Sequence, residues 1–146
     1  METNYLSGLS ASEEQLLHKA PVLVGVIAAM KDGKASPSEL KDAVKLAHFR
    51  TFTSSPILKA FYTACDRDFK KNLDHMMIEL KRDEEGTMNQ MHVDLTAIDI
   101  MIDKMPGEFR TALEQSLYSF GKHVSKADHS WLDDLALFVD PFIPLD

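Results

Sequence analysis

The sequence predicts an all-α protein, on three observations. Apolar residues recur at spacings of three and four along nearly the whole chain, the pattern of one buried helix face. No alternating run bounded by a two-residue turn appears, so there is no hairpin signal. Glycine and proline fall at the ends of the apolar stripes rather than inside them, with exceptions at Gly25 and Pro21. A chain of 146 residues is long enough to bury one sizeable core, so the expectation is a single domain over 1–146, a bundle of about six to eight helices with tails at 1–9 and 141–146.

The first helix is predicted over 10–31. Ser10 or Ser12 caps it, and Glu13 and Glu14 lie in its first turn, where the helix dipole favours negative charge. Pro21 removes a backbone donor and clashes one turn back, so it should kink or divide this helix. The segment VLVGVIAAM that follows is apolar on every side, which marks the most buried helix of the bundle. After a second helix, TFTSSP breaks the chain, and Ser55-Pro56 opens the third in cap-then-N1 order.

Ile57, Leu58, Phe61, Tyr62, Cys65, Phe69, Leu73, Met76, Met77 and Leu80 keep one stripe to about residue 83, with a candidate break at Asp66-Arg67-Asp68 and an end at Glu85-Gly86-Thr87. Met88, Met91, Leu95, Ile98, Met101, Ile102 and Met105 line the next helix, which Pro106-Gly107 stops. The helices over 87–104 and 107–122 should then pack antiparallel across that short turn. Phe109, Leu113, Leu117 and Phe120 mark the latter, and Trp131, Leu132, Leu135, Phe138 and Val139 mark the last helix. The methionines fall on inward stripes, which favours irregular core filling over an adaptable binding face.

Composition narrows the function. The formal net charge of -7 opposes a sequence-independent phosphate-binding surface, so nucleic acid is not an expected partner. No apolar run is long enough to span a membrane, and the acidic N-terminal stretch does not resemble a secretory signal, which predicts a cytoplasmic protein. The one cysteine, Cys65, excludes an internal disulfide and multi-cysteine metal sites; its spacing between Phe61 and Phe69 marks it as core. No phosphate loop, nucleophile elbow or dinucleotide fingerprint is present.

Metal chemistry is the open question, and KDGKASPSELKD at 31–42 carries it. With Gly33 at the sixth position of a calcium loop, Asp32, Ser36 and Glu39 match its second half, while Ala28 and Met30 fill the first and third positions with apolar side chains. No complete loop forms. The same letters read as a helix joint: Gly33 ends one helix, and Ser36-Pro37-Ser38-Glu39 is a capping box with proline at N1. Asp32 alone has no structural reason, since negative charge is unfavourable at a helix C-terminus. A second copy, FGKHVSKADHSWLDDLALF, repeats the order with Gly121, Ser125 and Asp128, but Phe120 stands where Asp32 stands.

The stretch AAMKDGKASPSE resembles the A-x-x-D-G-x-x-x-x-x-E signature of TerB-like domains of the tellurite-resistance family, and the helical pattern over most of the chain is similar too. The resemblance implies a compact helical protein of two related halves. It also implies a non-enzymatic role in stress or tellurite response through protein interaction, and divalent cation binding at acidic residues of the turns. Asp32 and Glu39 match those positions and Asp128 matches them in part; Ca²⁺ or Mg²⁺ is the implied cation. Other proteins are the implied partners, with a homo-oligomer left open. The alternative is a metal-dependent, hydrolase-like enzyme using His123, Asp128 and His129. Two further pairs share helix faces, His75 with Glu79 and Glu14 with His18, and read as solvated; Asp94, Asp99 and Asp103 do not converge on a single face, although Asp99 and Asp103 could.

Overall fold

A computed structural model of the chain describes residues 8–31, Lys45 and residues 55–124. These residues form helices and turns and contain no strand. Five helical segments run in the order α1 (Ala11–His18), α2 (Ala20–Lys31), α3 (Pro56–Arg82), α4 (Glu84–Asp103) and α5 (Gly107–Val124). Among them none is long and apolar enough to cross a membrane.

The entry to α1 is a full capping box. The Glu13 amide donates to Ser10 Oγ at 3.2 Å, and the Ser10 amide donates to Glu13 Oε1 at 2.9 Å. Those two bonds, the backbone one first, hold the Glu13 carboxyl below its ordinary value. Pro21 divides the long first helix as expected. Its missing N–H leaves the ladder short, Lys19 donates instead to the Leu16 carbonyl at 3.1 Å, and the ladder restarts with Leu23 donating to the Lys19 carbonyl at 2.9 Å.

In α2 the all-round apolar sequence produces all-round burial. Val22, Leu23, Val24, Val26, Ile27, Ala28 and Ala29 are each at most 1% exposed, and the helix packs on α3, α4 and α5. It is the axis of the core.

Helix α3 runs unbroken through Asp66-Arg67-Asp68, so the candidate break there does not form. These three residues project away from the core while Cys65 and Phe69, four apart, are both buried. The few tenths of a kcal/mol that an aspartate loses in a helix interior are small beside two anchored side chains. The helix ends where the stripe does, near residue 83, but the residues expected to form the break do not form it. α3 stops at Arg82, and Glu85-Gly86-Thr87 belongs to the first turn of α4. Asp83, with φ -155° and ψ 89°, leaves the helix, donates its amide to the Glu79 carbonyl at 2.9 Å and accepts from the Gly86 amide at 3.0 Å through its carboxylate. Thr87 ties the two helices by donating its hydroxyl to the same Glu79 carbonyl at 3.0 Å. Asp83→Ala should therefore lower stability by about 1 kcal/mol, read as a shift in urea midpoint at constant slope.

Pro106-Gly107 separates α4 from α5 as predicted, and Arg110 donates its amide to the Pro106 carbonyl at 2.9 Å to start the new helix. The two helices do not, however, pack chiefly on each other. Both lie against α2, and α4 takes α3 as its other main neighbour. A helix that is apolar on every side collects neighbours on every side, and it displaces the simple hairpin pairing. Phe109, Leu113, Leu117 and Phe120 are all at most 1% exposed, so the α5 stripe is core as read. Phe61 centres an aromatic group, 5.1 Å from Tyr62 and 6.4 Å from Phe109 between ring centroids, both edge-to-face. The Tyr62 and Ser116 hydroxyls share a buried hydrogen bond that joins α3 to α5.

Candidate metal centre and apolar groove

Asp99 and Asp103 are one helical turn apart on α4, so their carboxylates share a face. The Pro106-Gly107 turn brings α5 back past them, and Glu114 adds a third carboxylate. One oxygen from each of the three lies within 4.8 Å of the others. Glu114 is only 4% exposed, Asp99 is partly buried and Asp103 is exposed, so the cluster runs from the helix interface out to solvent. Burial, and then the nearby Asp103, raises the Asp99 carboxyl above its ordinary value. Arg110 supplies one positive charge, with Nη1 3.9 Å from Asp103 Oδ1 and a buried Nε that has no hydrogen-bond partner among the described residues.

Three carboxylate oxygens of this kind suit a hard cation such as Mg²⁺, Ca²⁺ or Mn²⁺ and not a soft one. Water would complete the coordination. The pairing of Asp99 with Asp103 was readable from the sequence. Glu114 was not, because its contribution depends on how α5 returns after the turn; its place one residue from Leu113 and three from Leu117, at the edge of the α5 stripe, was the available signal.

A cleft of about 560 Å³ lies beside the other face of the α4 C-terminus. Leu9 and Leu16 form one wall, Ala97, Met101 and Met105 the other, and Glu13 and Lys104 stand at the rim. Ile100 lines it while 53% exposed, and Val93, two turns further back on α4 and outside the groove's lining, is 60% exposed. The methionine reading thus divides: Met91 is core, whereas Met101 and Met105 also line a groove.

The other candidates fall as follows. Asp32, Glu39, Asp128 and His129 lie outside the described residues, as does the side chain of His123, so neither the acidic turns nor the histidine cluster of the enzyme reading is placed. Phe120, at the position equivalent to Asp32, is fully buried against Phe69 at 6.3 Å. Glu79 pairs with Arg82 while His75 is exposed. His18 is not the solvated partner of Glu14 that spacing suggested; it is half-buried, its ring 5.9 Å from Phe61. Cys65 is core, and burial followed by Asp66 pushes its thiol well above the ordinary value, which leaves it protonated and unreactive.

Comparison of the chain with protein-family models, with curated proteins and with solved structures finds no match. The likeness to TerB-like domains therefore stands on the motif and the helical pattern of the sequence.

Proposed function

We propose that this chain is a non-enzymatic helical module of the TerB-like kind, acting in a stress or tellurite response in the cytoplasm through protein interaction, and that it holds a divalent cation at Asp99, Asp103 and Glu114. On this reading the full chain has six to eight helices in two related halves. The observation that carries the cation is the convergence of three carboxylates from two helices, one of them buried. A divalent cation would offset the mutual repulsion of carboxylates held that close. Support for the interaction role comes from the apolar groove with Ile100 exposed along it. Groove and carboxylates share the last turn of α4, so a cation that fixes that turn also fixes Met101, Lys104 and Met105.

Thermal melts test this. Without metal, the raised Asp99 carboxyl means that the folded state holds its proton more tightly than the unfolded state. That contribution is present below the ordinary carboxylate range and is lost as pH rises through the raised value. At neutral pH millimolar Ca²⁺ or Mg²⁺ should then raise the midpoint, with a gain of about 2.7 kcal/mol once the cation reaches a hundred times its Kd. Asp99→Asn should remove the cation's gain without lowering the metal-free midpoint, because it relieves like-charge repulsion. A wild-type midpoint indifferent to both cations, or a full cation shift retained in Asp99→Asn, would sink the proposal.

A further inference from the structure

We propose that α1 is a pH-released wall of the apolar groove: protonation of His18 loosens α1 from α3 and opens the groove that Leu9, Glu13 and Leu16 close on one side. The inference uses the groove's geometry and needs no cation.

Helix α1 is weakly held by its own means. It has eight residues, too few to be stable in isolation, and Leu17 is the only one of them that is fully buried. Pro21 uncouples it from α2, so the backbone ladder does not carry it rigidly. Its attachment is therefore packing. Leu16 and Leu9 contribute partly buried apolar surface on the groove side. On the opposite side His18 lies against Phe61, the hub of the aromatic core.

His18 also borders a polar cleft of about 260 Å³ between α1 and α3, lined by Gln15, Lys19, Cys65, Asp68, Lys71 and Asn72. The charged groups around the imidazole are Glu14 on its own helix, Lys19 just beyond it, and Arg67, Asp68 and Lys71 on α3. The carboxylates of Glu14 and Asp68 favour the imidazolium and Arg67 opposes it, but loss of water around the ring is the largest influence, and the imidazole is held below its ordinary value. The direction of the effect follows. With the folded value depressed, the stabilising contribution is complete above about 6.5, the unfolded value, and is lost as pH falls through the folded one. Protonation draws the ring toward water, and the way out is through the α1–α3 seam.

Hydrogen exchange of backbone amides, corrected for intrinsic chemistry and run with a chelator present, reads this directly. Between about pH 7.5 and about pH 5, amides of α1 from Glu14 to Lys19 should lose protection several-fold while those of α3 and α5 hold theirs. In His18→Phe, which keeps an aromatic ring against Phe61, α1 should be protected at both values; His75→Gln should behave as wild type. In the unsubstituted protein the ring carbon resonances of His18 should titrate at the pH where the α1 amides change. Loss of protection in α1, α3 and α5 together, an unchanged pH response in His18→Phe, or a His18 titration that does not coincide with the α1 transition would each overturn the proposal. Because no cation is present, failure here leaves the carboxylate site untouched.

Discussion

Phe120→Asp is expected to leave no cooperatively folded protein at neutral pH. The substitution is the one that would restore, in the second copy of the glycine turn, the acidic residue that Asp32 supplies in the first. Phe120 is 0% exposed and its ring sits 6.3 Å from that of Phe69, so α5 and α3 meet on it. Removing the ring costs about 3–5 kcal/mol through lost burial and the cavity left behind. Leaving a carboxyl group in that space adds several kcal/mol more, whether it stays charged or takes up a proton. The sum, roughly 5 kcal/mol or above, reaches the whole stability of an ordinary domain. Phe120→Leu, which keeps an apolar side chain there, should fold. Circular dichroism melts separate the two: a cooperative transition in Phe120→Asp near that of the parent protein would mean that this position is not core.

Phe61→Ala should lower stability by about 3–5 kcal/mol, measured as a shift in urea midpoint with the slope unchanged. Phe61 is fully buried and contacts rings from three places: His18 of α1, its neighbour Tyr62 and Phe109 of α5. Its loss leaves a cavity that none of the three can fill without giving up its own contacts. Exchange protection in α1 should fall furthest, since that helix has the fewest other anchors. A midpoint shift below about 1 kcal/mol would show that the aromatic group does not hold these helices together.

The helices were legible in the sequence because their evidence is local. The stripes of α3, α4 and α5 name residues that are all buried or partly buried, and Pro21 and Pro106 interrupt where their missing amides require. The start of α4 and the candidate break in α3 came out differently for the same reason. Gly86 and the Asp66-Arg67-Asp68 triplet are poor helix formers, but Asp83 caps α4 ahead of Gly86, and Cys65 with Phe69 carries α3 through the triplet. Local propensity yields there to a cap in one case and to packing in the other.

Neighbour relations were less visible. The short turn at Pro106 suggested that α4 and α5 pair directly, yet α2 attracts both, a preference written in α2 rather than in the turn. The candidate site followed the same division. Asp99 and Asp103 share a face by spacing alone, whereas Glu114 joins them only through the return of α5. His18 looked solvated beside Glu14 because spacing gives no view of Phe61, which belongs to another helix.

Mn²⁺ titration of isotope-labelled protein followed by NMR asks whether a divalent cation sits on Asp99, Asp103 and Glu114. Mn²⁺ takes the same oxygen ligands as Mg²⁺ and broadens resonances of nuclei close to it. Substoichiometric Mn²⁺ should broaden amides of Asp99, Asp103, Arg110 and Glu114 first, and excess Mg²⁺ should restore them. Asp99→Asn should weaken the effect. Broadening that spares α4 and α5 around these residues, or that appears uniformly over the acidic surface and is unchanged in Asp99→Asn, would contradict that placement.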